Sequence, residues 1–221
     1  MRGKSLNITS SYSTITPSYS TKMMEITKNG KMALKLIFTD FLTSYNSYSM
    51  KDKIGLSNAG SLKLLRSLGE KGLLVSDKMG NAIFYKLNFK NGYLLKLLEL
   101  IFLDYSSLSS FVKGWIYDLR SFIPFTKAVL LFGSILKKEK NAGDVDVCFI
   151  LKNSKDYPKL QAKVSEVNKK NRLRIHPLYL TAKDFEKKLK EKNQPLLEMV
   201  KSCVVVHGQE VFVEVLKNVQ S

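Results

Sequence analysis

Apolar residues recur at helical spacing over the first third of the chain and then change to the spacing of strands. These two periods predict three helices and a two-stranded hairpin. Gly72 is placed to end the third helix in a left-handed conformation, and Met79-Gly80-Asn81 has the composition of a tight turn. The predicted helices span residues 31–44, 50–54 and 58–71, and the predicted strands span residues 73–75 and 82–87.

The rest of the chain alternates helices with strands. Residues 92–122 are expected to form two helices, and the second has an apolar stripe typical of a packing helix. Pro124 ends that helix and an apolar strand follows. Strands that alternate with helices indicate an α/β or α+β domain. The predicted strands span residues 126–132, 144–151, 174–180 and 203–207, and the predicted helices span residues 157–170, 182–191, 196–202 and 212–219.

Three helices followed by a hairpin is the order of elements in a winged helix-turn-helix. The phrase Leu65-x-x-Leu68-x-Glu70-Lys71-Gly72-Leu73 resembles the third helix and first wing strand of bacterial and archaeal winged-helix regulators. In such proteins the third helix enters the major groove and the hairpin touches the DNA backbone. The resemblance implies double-stranded DNA as a partner. The residues it nominates for DNA binding are Asn58, Ser61, Lys63, Arg66, Lys78 and Asn81.

Two other interpretations of this part remain open. Asn58 is a candidate adenine reader, but it is equally suited to cap the third helix. The whole region also fits a small helical domain that binds another protein. Winged-helix proteins often dimerise to read two half-sites, so a homodimer is possible.

The charge of the chain favours a polyanionic partner. Its formal net charge is +17, and the excess lies in two regions on either side of a neutral middle. Residues 1–92 hold 14 Lys and Arg against 5 Asp and Glu, and residues 152–192 hold 13 against 5. The alternative is that the lysines serve only solubility. No apolar run reaches the ~18–20 residues of a membrane span, so no membrane partner is expected.

A motif for phosphate chemistry lies at residues 132–150. Phe132-Gly133-Ser134 is followed, after nine residues, by Asp144-Val145-Asp146-Val147. Because side chains alternate along a strand, Asp144 and Asp146 point to the same face, where two carboxylates can hold Mg²⁺. A Gly-Ser turn between a strand and a helix presents backbone N–H groups and a hydroxyl to phosphates. The motif therefore predicts a cleft for a metal ion and a nucleotide.

This motif resembles the nucleotidyltransferase superfamily that includes polymerase β, kanamycin nucleotidyltransferase and the minimal nucleotidyltransferases. The resemblance covers residues 125–208, including Pro195–Gly208, which is similar to the helix and strand that end the family's domain. It implies that Gly133 and Ser134 bind phosphate and that Asp144 and Asp146 are catalytic ligands of Mg²⁺ or Mn²⁺. The nucleotide would be an NTP, bound as substrate or ligand.

The sequence departs from this family in two places. Family members usually carry an Arg soon after Gly-Ser, whereas here Lys137 and Lys138 are the cations available to phosphate. Active members also need a third carboxylate on a later strand, as a general base. Residues 172–180 contain no acid, and His176 stands near the expected position. His176 is accordingly a candidate base or a structural replacement, while Glu166 and Asp184 are weaker substitutes.

Together these patterns predict an α+β protein with a winged helix-turn-helix followed by an α/β nucleotidyltransferase-fold domain containing a small mixed sheet. The expected function is NMP transfer from an NTP to an unidentified hydroxyl. The alternative is a transcriptional regulator or toxin–antitoxin component whose nucleotidyltransferase domain is degenerate. Two cysteines and two histidines show no zinc spacing, and the cytoplasm is the expected location. The predicted divisions are a disordered tail (1–21), the winged helix (22–91), linking helices (92–124) and the nucleotidyltransferase-fold domain (125–221).

Overall fold

A computed structural model describes residues 25–220, which form an α+β structure with ten α-helices and two small sheets. The tail expected at residues 1–21 lies outside this range. The helices are α1 Lys28–Thr39, α2 Ser47–Ile54, α3 Asn58–Glu70, α4 Gly92–Phe102, α5 Ser110–Leu119, α6 Ile135–Lys138, α7 Tyr157–Lys170, α8 Ala182–Lys190, α9 Gln194–Ser202 and α10 Gln209–Gln220. The strands are β1 Leu74–Met79, β2 Ala82–Leu87, β3 Thr126–Phe132, β4 Asp144–Leu151, β5 Arg174–Thr181 and β6 Val204–His207.

Side-chain caps set where the first three helices begin. The side chains of Thr27 and Ser57 accept hydrogen bonds from the third backbone N–H beyond them, at the starts of α1 and α3. Asn46 and Ser49 form a reciprocal capping box at the start of α2. The helix predicted over residues 50–54 was therefore too short, because the cap is Asn46 and α2 begins at Ser47.

The predicted hairpin is confirmed. Strands β1 and β2 pair antiparallel, with Leu74 opposite Leu87 and Met79 opposite Ala82. Gly80, in the turn, has a φ of +59°. Gly72, with a φ of +68°, adopts the left-handed conformation predicted beyond the third helix. This hairpin packs beside α1 and α3 through its buried residues.

The second sheet has four strands in the order β5-β4-β3-β6. Strand β3 pairs antiparallel with both β4 and β6, and β5 pairs parallel with β4. The mixed sheet expected from the sequence is thus confirmed. Because β3 runs antiparallel to β4 and β5 runs parallel to β4, the end of β3 and the starts of β4 and β5 meet at one edge of the sheet.

The two faces of this sheet belong to different cores. One face, with Ala128, Leu130 and Cys148, shares a continuous apolar cluster with α1, α4, α9 and α10. The other face, with Val129 and Val147, packs against α5 and α7. The two helices predicted to link the halves accordingly lie in different clusters, α4 with the N-terminal helices and α5 with the sheet. None of the helices within residues 25–220 meets the length and hydropathy needed to cross a membrane.

Candidate functional site

The two carboxylates of the motif lie at the start of β4. Val145 and Val147 alternate with them and are fully buried on the opposite face, against α5 and α7. This alternation fixes Asp144 and Asp146 on the face that continues into Cys148 and Ile150. Both carboxylates are reached by solvent because they precede the strand's fully buried segment.

The chain passes directly over Asp146 where β3 ends. Phe132 is the cross-strand partner of Asp146, and Gly133 follows with a φ of +81°. A Cβ at Gly133 would overlap the Asp146 carboxylate, since its distance to Asp146 Cγ would be only 2.8 Å. Glycine is therefore required here by both conformation and space. It brings the backbone that leads into Ser134 and α6 against a predicted metal ligand.

Strand β5 adds a histidine to this pair. In the parallel ladder His176 is the partner of Asp146, and its Nδ1 lies 3.2 Å from Asp146 Oδ1. The His176 side chain is 74% exposed, whereas that of Asp146 is 22% exposed. One ligand atom from each of Asp144, Asp146 and His176 lies within 4.8 Å of the others, so this group can hold a metal ion.

A shallow pocket opens beside the carboxylates. Its volume is about 360 Å³, and its polar side chains are those of Asp146 and His176. The rest of its wall is apolar and comes from the end of β3, from β5 and from α9. These residues are Phe132, Pro177, Leu178, Pro195, Leu196 and Met199. The pocket thus offers a flat apolar group a place next to the charged cluster.

The cations predicted to bind phosphate lie on the short helix that follows Gly133-Ser134. The backbone N–H groups of Lys137 and Lys138 donate to the Ser134 carbonyl oxygen at 3.0 and 2.8 Å. Both side chains are exposed, and neither ammonium group lies within 4.0 Å of a carboxylate among residues 25–220. Ser134 makes no side-chain cap in α6, which leaves its hydroxyl unengaged there.

The two substitute acids considered from the sequence are engaged elsewhere. Glu166 pairs with Lys170 and Lys163, at 2.7 and 2.9 Å, and these two lysines lower its pKa to about 2. Asp184 belongs to the capping box at the start of α8, where hydrogen bonds from Thr181 lower its pKa. Neither acid belongs to the cluster around Asp146, so His176 is the group that the fold brings there.

Arg174 was not among the site residues predicted from the sequence. It is the cross-strand partner of Asp144, as His176 is of Asp146, and its side chain is exposed. Arg174 and His176 have the same spacing on β5 that Asp144 and Asp146 have on β4. That shared spacing was visible in the sequence, but only the parallel pairing of the two strands shows that the residues are neighbours.

The candidates for DNA binding are mostly on the surface. Asn58 is exposed, and because Ser57 caps α3, Asn58 is not the capping residue. Ser61 is fully buried, with no hydrogen-bond partner for its hydroxyl among residues 25–220, so its side chain has no route to DNA. The remaining four candidates are exposed on α3, on β1 and at the hairpin turn: Lys63, Arg66, Lys78 and Asn81.

Comparison of this chain with protein-family models, with curated proteins and with solved structures gives no match.

Proposed function

We propose that the chain is a DNA-binding winged-helix protein with a nucleotidyltransferase site, which transfers a nucleoside monophosphate from an NTP to a hydroxyl group. The observation that supports this most strongly is the meeting of three strand ends at one edge of the sheet. There Gly133 lies against Asp146, Asp144 lies two residues before it, and His176 lies beside it.

The residues present fit a divalent metal ion. Asp144 and Asp146 each offer a carboxylate oxygen within 4.8 Å of the other, and oxygen ligands are those that Mg²⁺ and Mn²⁺ prefer. Asp144 and Asp146 would hold the ion. When bound, the metal would supply positive charge that neutralises the charge developing on the phosphates during displacement.

The surroundings of the carboxylates suit the rest of a nucleotide. The Gly133-Ser134 turn is available to the phosphates, and Lys137 and Lys138 on α6 add positive charge. The apolar pocket between β5 and α9 has room for a planar base, with Phe132 in its wall. Phosphate and base would thus occupy adjoining parts of one cleft.

His176 is placed to receive the proton of the acceptor. When its Nδ1–H donates to Asp146, the lone pair of Nε2 is free to act as a base. In the reaction the acceptor oxygen forms a bond to the α-phosphorus. The bond from that phosphorus to the oxygen bridging to the β-phosphate breaks, and pyrophosphate leaves. The acceptor's proton passes to His176.

One observation favours a second candidate function. Within residues 25–220 the cluster contains two carboxylates and no third, in contrast to active members of the superfamily that the motif resembles. A DNA-binding regulator that binds nucleotide without transferring it would need only the metal and phosphate contacts. This second function predicts nucleotide-dependent DNA binding without turnover.

Incubation with each labelled NTP and Mg²⁺ or Mn²⁺ tests the proposal. We expect label to reach an acceptor in the presence of cell-extract nucleic acids, proteins or metabolites, and we expect Asp144→Asn/Asp146→Asn to abolish transfer. The matched control is Asp52→Asn/Asp156→Asn, which removes the same charge from acids outside the cluster. Nucleotide binding without transfer would favour the regulator. Absence of nucleotide binding would refute both functions.

A further inference from the structure

A band of cations lies beside the proposed site and has no role in the function described so far. Lys140, Lys169, Arg172 and Arg174 are all exposed, and they are called the basic band below. None of them lies within 4.0 Å of a carboxylate in the part of the chain that the structure describes. The neighbouring Lys163 and Lys170, by contrast, are both paired with Glu166.

The basic band borders two adjoining depressions. Lys169, Arg172 and Arg174 line a groove of about 720 Å³ between α7 and the free edge of β5. Arg172 and Lys140 line a second depression of about 520 Å³, where the wall includes Phe111 and one carboxylate, Asp118. Because Arg172 belongs to both, the four cations form a continuous path along the molecule.

The groove also contains a hydroxyl with an unused hydrogen bond. The Oη atom of Tyr179 is buried and has no partner among residues 25–220. Burial raises the pKa of Tyr179 to about 12, with a smaller contribution from Tyr157, so the hydroxyl keeps its proton at neutral pH. An unpaired hydrogen-bond donor therefore lies behind the wall of the groove.

The basic band reaches the proposed catalytic residues. Arg174 is the cross-strand partner of Asp144, and Lys140 lies in the connection that leads into β4. A polyanion held along the band would therefore end near Asp144 and His176. Several cations along a groove, with an aromatic side chain in its wall, are typical of sites that hold a single-stranded nucleic acid by its phosphates and bases.

We propose that the basic band binds a single-stranded nucleic acid and presents its terminal hydroxyl to the site, which makes nucleic acid the acceptor. This acceptor assignment rests on the proposed nucleotidyltransferase function, whereas binding along the band does not require it. The phosphates contact the four cations, and a base near the strand's end lies against Phe111.

Binding is measured first, without metal or NTP, using labelled single-stranded RNA and DNA oligonucleotides of the same sequence at several salt concentrations. The full chain carries Lys63→Ala/Arg66→Ala in every sample, to reduce binding through α3. In that background Arg172→Ala/Arg174→Ala should weaken binding on the order of tenfold or more. It should also reduce the salt-dependence slope by about 1.4, as expected for two lost phosphate contacts on a single strand. The matched control is Lys183→Ala/Lys188→Ala on α8, which removes the same charge.

Label transfer from NTP to the oligonucleotide is then measured with the same variants. Transfer that requires both Asp146 and the basic band supports the full proposal, and the better substrate of RNA and DNA identifies the acceptor. Band-dependent binding without transfer leaves the nucleic-acid site standing and counts against the nucleotidyltransferase function. The inference would be overturned if the α8 control weakened binding equally. It would also be overturned if the basic band were needed for binding to anionic lipid vesicles but not to oligonucleotides. A band variant that transfers label as well as the parent would also overturn the acceptor assignment.

Discussion

At the scale of single residues, the proposed transfer reaction depends most on His176. Its imidazole has one nitrogen against Asp146 and is largely exposed, which suits a base that meets an incoming hydroxyl. We predict that His176→Gln lowers the transfer rate about 10²–10⁴-fold, because general-base catalysis is lost, while leaving nucleotide binding within about twofold. Single-turnover transfer and equilibrium nucleotide binding measure the two effects separately.

Two further variants control this prediction. His176→Asp introduces a carboxylate at the position where the superfamily that the motif resembles has one, and should recover part of the rate, as a purely structural role would not allow. His207→Gln alters the other histidine, which lies on β6 at the opposite edge of the sheet, and should change neither quantity. If His176→Gln retained the full rate, the base would have to be another group.

Gly133 provides a second prediction at this scale. In Gly133→Ala the new methyl group displaces the Asp146 carboxylate, so we expect loss of nucleotide affinity of at least about tenfold, or about 1.4 kcal/mol. The matched control is Gly80→Ala in the hairpin turn, where φ is also positive but no atom lies within 4 Å of the added Cβ. Both variants should lose about 1–2 kcal/mol of unfolding free energy from backbone strain. Equal nucleotide affinity in the two variants would show that contact with Asp146 is unimportant.

The sequence predicted only some of these residues, for a physical reason. Asp144 and Asp146 could be placed on one face because alternation within a strand is a local rule. His176 was nominated through the family resemblance, whereas Arg174 was not predicted. Both lie on a strand about thirty residues away, and their pairing with Asp146 and Asp144 depends on the register of β5 against β4. Ser61 was misplaced toward DNA because its burial depends on tertiary packing that periodicity does not specify.

At the scale of elements, α3 is the part expected to contact DNA. Lys63 and Arg66 are exposed on this helix, while Leu65 and Leu68 anchor its opposite side in the core. We predict that Lys63→Ala/Arg66→Ala weakens duplex DNA binding and reduces its salt-dependence slope by about 1.8, since each phosphate contact on duplex DNA contributes about 0.9. Fluorescence anisotropy at several salt concentrations measures both values.

Lys183→Ala/Lys188→Ala on α8 is the control for α3, because it removes two equally exposed charges from another helix. It should leave the slope for duplex DNA nearly unchanged. A parent protein whose duplex binding does not vary between low and moderate salt would contradict the winged-helix role altogether.

The bounds of a strand or helix could be predicted where nearby residues in the sequence end it. Strands β3 and β4 have the predicted bounds, because each is an apolar run that starts and stops at polar or glycine residues. The first helix was predicted over residues 31–44, yet α1 spans Lys28–Thr39. Phe41 and Leu42 continue the helical period, but the chain leaves the helix at Asp40, whose carboxylate binds Tyr45 and Lys201. Lys201 is distant in sequence, so the early end could not be predicted.

At the scale of the whole molecule, the N-terminal helices and the sheet domain share one core. Phe102 of α4 contacts Phe212 of α10, with ring centroids 5.0 Å apart, and both also lie in the cluster that contains α1. Gln220 of α10 donates a hydrogen bond to the Phe38 carbonyl oxygen of α1 at 3.1 Å. Because the halves bury apolar surface against each other, we expect DNA binding and nucleotide binding to take place on a single cooperative unit.

Asp40 joins the halves by charge as well as packing. Its Oδ2 accepts a 2.6 Å hydrogen bond from Tyr45, and its Oδ1 lies 3.1 Å from Lys201 on α9. Burial alone would raise the pKa of Asp40, but the hydrogen bonds from Tyr45 and Lys201 lower it below its ordinary value of 3.8. Because the pKa of Asp40 is lowered in the folded state, its ionised carboxylate stabilises the fold at pH values above the ordinary pKa. This contribution is lost as the pH falls through the pKa of the folded state.

We therefore predict that Asp40→Asn lowers the free energy of unfolding by about 1.5–3 kcal/mol at neutral pH, the range for hydrogen bonds to a charged group. The difference between parent and variant should shrink as the pH falls below 3.8, because protonation removes the same charge from the parent. Denaturant unfolding should be monitored with two probes. One is the fluorescence of Trp115, the single tryptophan, which lies on α5 and is buried in the cluster that packs on the other face of the sheet. The other is circular dichroism, which reports on all helices. Coincident shifts of both probes would follow from a shared core. A shift seen by circular dichroism but not by Trp115 fluorescence would mean that the two halves unfold independently. DNA binding and nucleotide binding would then have no common structural unit through which to influence each other.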